Sequence, residues 1–319
     1  MVPAENATDR VQHDSHAPRL LYLVERAGQH SAGQRVSVIV PTLNEEENLP
    51  HVLPRIPDWV HEVIVVDGHS VDDTVAVARA LLPSVRIVTQ EGRGKGAALR
   101  TAFRAVTGDI IVMLDADGST APEEIPLYVA ALVAGADFVK GSRFMQGGGT
   151  SDMTILRKLG NGGFVAMSRL LFGSKYTDLC YGYAAFWTRN VPALRLNGDG
   201  FEIETMMNIR ALQARYKVAE VPSFEADRVH GVGRLRTFPD GFRVLRTIVR
   251  EFLHPNPAWA DRNPGADRRR TANARYRAKE RRRGRDRRAD AARAAAPTPA
   301  QIEVVTQPPP AVSFKDARN

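Results

Sequence analysis

The sequence is poor in cysteine and in long apolar runs, and each scarcity excludes a class of protein. Cys180 is the single cysteine among 319 residues, which excludes an internal disulfide framework and is typical of a reducing compartment. No run of about 18 apolar residues occurs, so no membrane-spanning helix is predicted. The segment 1–16 is polar and mixed in charge, unlike the apolar core of a secretory signal. We therefore expect a cytoplasmic protein.

Excess positive charge is also missing from most of the chain, although the formal net charge is +8. The segment 261–293 holds 14 Arg or Lys against 5 Asp or Glu, which leaves about −1 for the remainder. A nearly neutral body argues against a nucleic-acid-binding core, and no specific nucleic-acid partner is expected. We predict a poorly ordered arm over 1–34, a globular domain over 35–257, and a disordered tail over 258–319 that is Arg-rich and then contains prolines.

Short apolar segments alternate with helical patterns from Arg35 onward. Strands are predicted at 36–40, 62–66, 85–88, 110–114, 138–143, 184–187 and 217–221. Helices are predicted from Asn44, over 72–82, 96–106, 157–172, 202–214 and 240–253, with the fourth of these interrupted by its glycines. This alternation predicts an α/β fold with a mostly parallel sheet that carries helices on both faces.

The strand 110–114 ends on two carboxylates, Asp115 and Asp117, followed by Gly118. Residues i and i+2 of an extended chain point to the same side, so both carboxylates can approach one point. Two close carboxylates repel unless a proton or a cation lies between them, and a hard divalent ion with oxygen ligands suits them. A solvated acidic turn is the alternative interpretation.

Other polar side chains also follow predicted strands. Thr42, Asn44 and Glu45 follow the first strand, Asp67 ends the second, and Arg143 ends the fifth. In parallel sheets the ligand binds at the carboxyl ends of the strands. The sequence therefore predicts a binding site at that edge.

These segments resemble the inverting family 2 glycosyltransferases of the GT-A, Rossmann-like fold. The closest likeness is to the branch of dolichol-phosphate mannose synthase and polyprenyl-phosphate glycosyltransferases. The matching motifs are VPTLNE at 40–45, VVDGHSVDDT at 65–74, GRGKG at 92–96, DAD at 115–117, GSR at 141–143, TDLCYG at 177–182 and EVP at 220–222. The likeness covers about residues 36–250 and rests on the joint order and spacing of the motifs.

The resemblance implies roles for particular residues. Those implied in donor nucleotide binding are Pro41, Thr42, Asn44, Glu45, Asp67, Lys95, Asp115 and Arg143. Within this set, Asp67 would hydrogen-bond the base, Lys95 would lie near the base and ribose, and Arg143 would lie near a phosphate. Asp115 and Asp117 would hold Mg²⁺ or Mn²⁺ against the donor diphosphate, with Asp117 part of the catalytic centre. Ser119 stands where several mannose synthases carry a Gln that contacts the metal, which weakens the case for mannose.

The second half of the chain supplies further candidates. Asp178 is the candidate general base toward an acceptor hydroxyl, with a loop cap as the alternative. His230 lies in a Gly-rich loop, where a late His of related enzymes reaches the metal. The candidates for contact with the acceptor or the diphosphate are Arg228, Arg234 and Glu202, although Glu202 and Glu204 cannot share one helical face.

The acceptor is left open by the sequence. The resemblance favours a polyprenyl phosphate at the inner membrane surface, reached by peripheral attachment through the basic tail. A hydroxyl acceptor, such as a saccharide or 3-phosphoglycerate, is the first alternative. A non-catalytic binding module that kept the fold is the second.

Overall fold

The computed structural model of the chain describes residues 33–255, apart from 152 and 234. The predicted tail at 258–319 lies outside the described residues, as does all but the end of the arm at 1–34. Both predictions therefore stay predictions. Among the helices that the structure describes, none combines the length and the apolar character needed to cross a bilayer.

A seven-stranded sheet forms the centre of the domain. Its strands are β1 (Val36–Thr42), β2 (Glu62–Asp67), β3 (Arg86–Thr89), β4 (Ile110–Met113), β5 (Phe138–Ser142), β7 (Ala184–Trp187) and β8 (Val218–Pro222). The strand order is β3-β2-β1-β4-β7-β5-β8, and β7 alone runs antiparallel to its neighbours. Two short strands, β6 (Gly149–Thr150) and β9 (Phe224–Glu225), pair in parallel beside it. The predicted mostly parallel sheet is confirmed.

Helices cover both faces of this sheet. They are α1 (Thr74–Leu81), α2 (Lys95–Ala105), α3 (Ile125–Val133), α4 (Ile155–Phe172), α5 (Val191–Leu194), α6 (Glu202–Gln213) and α7 (Thr237–Leu253). Successive residues of a strand face opposite sides, and accordingly Val38 packs in the apolar core with α3 while Ile39 packs in the other core with α2 and α6. A third core joins α4, α6 and α7 through Val165, Ile209 and Ile248.

Three local predictions were wrong. No α-helix begins at Asn44, where turns lead into 3₁₀ segments at Leu49–His51 and Leu53–Arg55. The first strand, predicted at 36–40, extends to Thr42, so Pro41 lies inside β1. Ile39 O accepts from Leu114 N, so the nitrogen of Pro41, two residues on, points the same way, past the end of β4, where no donor is needed.

The helix α4 is continuous despite Gly160, Gly162 and Gly163. A Cβ at any of these glycines would meet nothing within 4 Å, so no close contact requires glycine there and the three residues only lower the helix propensity. Thr154 caps its first turn by accepting from Arg157 N at 3.3 Å, and Gly173 ends it with φ +63°.

Candidate functional site

A cavity of about 1500 Å³ opens at the carboxyl ends of β1 and β4. Its polar half is lined by Thr42, Glu45, Lys95, Asp115, Asp117, Arg143, Glu204 and Arg228. Its apolar half is lined by Met153, Leu156, Phe164, Val232, Leu235, Phe238, Phe242 and Leu245, largely from α4 and α7. Charged residues and apolar residues therefore line one continuous cavity.

Asp115 belongs to a three-residue charge cluster in the polar half. The Nζ of Lys95, the first residue of α2, lies 2.6 Å from Asp115 Oδ1 and 2.6 Å from Glu204 Oε1. Burial opposes the charge on Lys95, but the two carboxylates outweigh it and raise the pKa of Lys95. Burial also raises the pKa of Glu204, in spite of Lys95. The ammonium group of Lys95 therefore compensates the carboxylates of Asp115 and Glu204, and its expected place near the base and ribose stays a prediction.

The entry into α2 explains why Lys95 reaches this cluster. The amide of Gly96 donates to Asp199 O at 2.8 Å, so the glycine loop packs directly on the backbone before α6. A Cβ at Gly96 would lie 2.4 Å from Gly198 O, and one at Gly94 would lie 2.3 Å from Asp199 O. Glycine is thus required by close backbone approach.

Asp117 is held from three directions. Ser119 donates to Asp117 Oδ1 through its amide at 3.0 Å and its hydroxyl at 2.7 Å. The guanidinium of Arg228 bridges Asp117 Oδ2, at 3.4 Å, and the carboxylate of Glu45. Arg228 therefore lies at the acidic pair, as its candidacy for diphosphate contact required.

The segment 226–231 crosses the end of β4 above this carboxylate. The amide of Ala226 donates to Ser119 O at 2.9 Å, and that of Val229 donates to Asp117 O at 3.1 Å. Gly118, with φ +79°, leaves room for the side chain of Val229, because a Cβ there would come within 2.6 Å of it. The segment thus closes one side of the cavity.

His230 does not join Asp115 and Asp117. Its Nε2 lies 3.3 Å from Nε2 of His51, and its backbone is bonded to the side chain of Asn48. Within residues 33–255, positions 152 and 234 aside, no three His, Cys, Asp or Glu side chains are grouped as metal ligands. The expectation that His230 shares a metal with the acidic pair therefore stays a prediction.

Arg143 is clamped between two carboxylates. Its Nε and Nη2 donate to Asp178 at 2.7 and 2.9 Å, and its Nη1 donates to Glu225 at 2.9 Å. The guanidinium carbon also lies 4.8 Å from the ring centre of Tyr181. The Arg143 side chain is only 5% exposed, so its plane is fixed in the wall of the cavity.

Asp178 is unsuited to the general-base role predicted for it. Its side chain is fully buried, and both of its oxygens accept hydrogen bonds from Arg143. Burial would raise the pKa of Asp178, but Lys140 and Arg143 outweigh it, and that pKa lies below its usual value. A weakly basic carboxylate out of reach of solvent is poorly placed to accept a proton, and its contacts position Arg143 instead, so the geometry argues against the catalytic assignment, which stays a prediction.

The expected nucleotide pocket is brought together in part. Pro41, Thr42 and Glu45 line the cavity, and the neighbouring wall is formed by Gly68, His69 and Gln90. Asn44 is exposed and turns away, with φ 53° and its Oδ1 accepting from Val71 N at 2.9 Å.

Asp67 also differs from its expected place. It is buried, and its carboxylate accepts from Ser70 N at 3.2 Å. The next two residues, Gly68 and His69, line the cavity instead. Its contact with a base stays a prediction.

Two glutamates begin α6, and the one that lines the cavity is Glu204, which the sequence analysis did not select as a site residue. Glu202 Oε1 accepts from Asp199 N and Gly200 N, both at 3.0 Å, so Glu202 holds the preceding loop, and its expected contact with the acceptor stays a prediction. Glu204 points into the cavity. The i, i+2 spacing predicted that only one of Glu202 and Glu204 would point into the cavity, but no local feature of the sequence indicated which one. Arg234 lies outside the described residues.

The acidic pair fits a hard divalent ion. Both side chains are partly exposed, 30% for Asp115 and 24% for Asp117, and both offer carboxylate oxygens to the cavity. Gly182 faces them, and a Cβ there would lie 3.0 Å from Asp115 Oδ2, so the space beside the pair depends on that glycine. Two carboxylates that leave other coordination positions to water and phosphate are typical of Mg²⁺ sites.

Comparison with known proteins identifies the family. The model described as "Glycosyl transferase family 2" matches residues 37–191. A dolichol-phosphate mannosyltransferase of Pyrococcus furiosus is 32% identical over 225 residues, which span 68% of this chain and 63% of that protein. An undecaprenyl-phosphate mannosyltransferase of Micrococcus luteus is 34% identical over 215 residues, which span 63% of this chain and 87% of that protein. The chain belongs to the family 2 glycosyltransferases. The predicted glycosyltransferase is thereby confirmed at the level of the family.

Solved structures agree with the fold of this family 2 glycosyltransferase. Glucosyl-3-phosphoglycerate synthase from Mycobacterium tuberculosis, in complex with Mn²⁺, uridine-diphosphate-glucose and phosphoglyceric acid, superposes with a TM-score of 0.60. The two sequences are 26% identical, and the match covers 73% of this chain and 84% of the other. The predicted GT-A fold is confirmed.

Proposed function

We propose that this glycosyltransferase moves a sugar from a UDP- or GDP-sugar to a polyprenyl phosphate, with inversion and with Mg²⁺ or Mn²⁺. The observation that carries the proposal is the single cavity that runs from Asp115 and Asp117 to the apolar wall of α4 and α7. A charged donor and an amphiphilic acceptor need both ends of such a cavity at once.

The donor would occupy the polar half. Asp115 and Asp117 would hold the metal ion, which would act as a Lewis acid toward the charge that grows on the departing diphosphate. Lys95 and Arg228 supply further positive charge beside the same carboxylates. The nucleoside would extend toward Thr42 and Glu45 and the adjoining wall.

The acceptor would enter along the apolar half with its phosphate toward Arg143. A polyprenyl phosphate is already anionic, so it attacks without a strong general base. That requirement suits a site in which Asp178 is buried and tied to Arg143. The relatives from P. furiosus and M. luteus are named for transfer to dolichol phosphate and undecaprenyl phosphate, which supports the same class of acceptor.

A hydroxyl acceptor such as 3-phosphoglycerate is the second candidate. It is favoured by the superposition on glucosyl-3-phosphoglycerate synthase with phosphoglyceric acid bound. A hydroxyl acceptor needs a base, and Asp227, which also lines the cavity, would be the carboxylate to test. Asp227→Asn should then lower turnover by about two orders of magnitude or more, whereas transfer to a lipid phosphate should change little.

The deciding experiment offers one purified enzyme two kinds of acceptor. A panel of UDP- and GDP-sugars with Mn²⁺ is combined with a short polyprenyl phosphate, the matching polyprenol, or 3-phosphoglycerate. We expect product with the polyprenyl phosphate alone, since the polyprenol lacks the ionised nucleophile. Turnover with 3-phosphoglycerate and none with the lipid phosphate would refute the proposal and favour the second candidate.

Exposed apolar residues at the mouth of the cavity suggest how a lipid acceptor is reached. Phe238 is 77% exposed, Phe242 66% and Leu156 52%, and all three line the cavity. The exposed Arg243 lies beside them on α7, so this rim offers both apolar and cationic groups to an anionic bilayer. Flotation with anionic liposomes should fall in Phe238→Ser/Phe242→Ser, and a chain ending at Trp259 would measure the separate share of the basic tail.

A further inference from the structure

The segment 177–182 is largely buried although it forms neither helix nor strand. It carries Asp178, whose carboxylate clamps Arg143. It ends at Gly182, where a Cβ would lie 2.6 Å from Glu204 Oε1, so its backbone packs directly on the charge cluster of the polar half. Buried backbone groups outside regular structure need partners from side chains. The origin of those partners therefore decides what holds this segment in place.

The beginning of the segment is held by Glu220 of β8. Its carboxylate accepts from Thr177 N at 2.9 Å, from Thr177 Oγ1 at 2.9 Å and from Asp178 N at 3.3 Å. Hydrogen bonds to an ionised acceptor are stronger than those between neutral groups. Glu220 thus fixes the backbone of the same residue whose side chain clamps Arg143.

The end of the segment is held by Lys140 of β5. Lys140 lies opposite Glu220 in the register of β5 and β8. The Lys140 residue is 0% exposed, and its Nζ donates to Tyr181 O at 2.7 Å, one residue before Gly182. Lysine is almost never fully buried unless its ammonium group is paired, so this contact accounts for a costly placement.

Two asparagines hold the middle of the segment. Asn161 Oδ1, on α4, accepts from Leu179 N at 3.1 Å and from Cys180 N at 3.2 Å. Asn208 Nδ2, on α6, donates to Leu179 O at 3.0 Å. The contacts of Glu220 and Lys140 are therefore distinct from those in the middle, and the loss of one can be measured against the other.

We propose that Glu220 and Lys140 are positioning residues, which hold the two ends of the segment 177–182 and thereby keep Asp178 against Arg143. Both side chains lie outside the lining of the cavity, so they act through the segment and not on a ligand. This role rests on the proposed function in one respect, that Arg143 meets the phosphate group of the acceptor. Polyprenyl phosphate and 3-phosphoglycerate both carry such a group.

Kinetics of Glu220→Gln test the role against a matched control, Glu251→Gln. Glu251 is a carboxylate of α7 that is 1% exposed and pairs with Arg210 at 2.7 Å instead of with this segment. The acceptor is whichever of polyprenyl phosphate and 3-phosphoglycerate the wild type turns over. Loss of a hydrogen bond to a charged group should raise KM for the acceptor about tenfold in Glu220→Gln. We expect unchanged kcat and UDP or GDP binding, and no change of KM in the control.

The Arg143→Met background separates positioning from a general loss of structure. If Glu220 and Lys140 act through Arg143, adding Glu220→Gln or Lys140→Met to Arg143→Met should raise KM no further. An unchanged KM in Glu220→Gln, or the same further rise in the Arg143→Met background, would overturn the proposal. An equal weakening of nucleotide binding would overturn it as well.

Amide hydrogen exchange supplies a readout that needs no acceptor. Exchange at Thr177 and Asp178 should become faster in Glu220→Gln, while Leu179 and Cys180, which donate to Asn161, should change less. If the wild type turned over neither acceptor, the proposed function would fail, and the exchange rates would still decide whether Glu220 holds the segment. Unchanged exchange at Thr177 and Asp178 would refute that role.

Discussion

Replacing Asp178 by asparagine separates a positioning role from a catalytic one. The substitution preserves the shape of the side chain but removes the charge that meets Arg143 at 2.7 and 2.9 Å. Among the residues that the structure describes, Arg143 then retains only Glu225 as an ionic partner, at 2.9 Å. We expect its guanidinium to turn and the phosphate-binding end of the acceptor site to loosen.

The size of the effect follows from burial. Removing one partner of a buried ion pair costs about 3–5 kcal/mol because the other charge is left uncompensated. Glu225 still compensates part of that charge, and it is more exposed, at 18% against 0% for Asp178. We therefore expect a loss of about 3 kcal/mol in the free energy of unfolding of Asp178→Asn, measured by urea denaturation.

A double-mutant cycle makes the test independent of that instability. Asp178→Asn, Arg143→Met and the double variant are compared by denaturation and by kcat/KM for the polyprenyl phosphate. Replacing both charges by uncharged groups should restore part of the lost stability. If Asp178 acts only through Arg143, the double variant should be no less active than Arg143→Met. Multiplicative losses in the double variant, with unchanged acceptor binding, would refute the positioning role.

Three further outcomes are expected. Asp117→Asn should abolish Mn²⁺-dependent donor binding in calorimetry while circular dichroism stays unchanged; retained binding would contradict the metal assignment. Burial opposes the charge on Glu62, but hydrogen bonds to its carboxylate hold the pKa of Glu62 at about 2. Glu62→Gln should therefore cost about 2 kcal/mol of stability at pH 7, after allowance for solvent screening, and the difference should vanish as the pH falls from about 4.5 through 2. An equal difference at pH 2 would contradict this. Phe238→Ser/Phe242→Ser should raise KM for the polyprenyl phosphate and leave nucleotide binding unchanged; an equal rise for both ligands would indicate misfolding instead.

The central strands could be predicted because they are buried on both faces. β4 and β7 consist entirely of buried residues, and such strands appear in sequence as short apolar runs. The helix α3 was not predicted for a related reason. Its sequence, IPLYVAALV, is almost entirely apolar, and a short apolar run is expected both for a buried helix and for a buried strand. The direction of β7 depends on the path of the chain between strands and has no local signal.

The sequence predicted which site residues follow each strand, but not which residues from distant segments contact them. Asp115 and Asp117 follow from the end of β4, but their partners come from distant segments, with Arg228 lying 111 residues beyond Asp117. The type of a residue alone also misleads about its role when charged neighbours determine its protonation state. Asp178 looked like a base in isolation, yet the buried Arg143 and Lys140 beside it decide its state.

The same compensation has a consequence for ligand binding. Lys95 and Arg228 neutralise Asp115 and Asp117, so an incoming Mn²⁺ must compete with two cations that are already paired. A diphosphate gives those cations a new partner and frees the carboxylates for the ion. Mn²⁺ and UDP or GDP should therefore bind cooperatively, each tightening the other by the same factor. Calorimetric titration of Mn²⁺ with and without the nucleotide measures that factor, and Lys95→Met should reduce it by strengthening Mn²⁺ binding to the free enzyme. Equal Mn²⁺ affinity with and without nucleotide in the wild type would show that the ion does not compete with these cations.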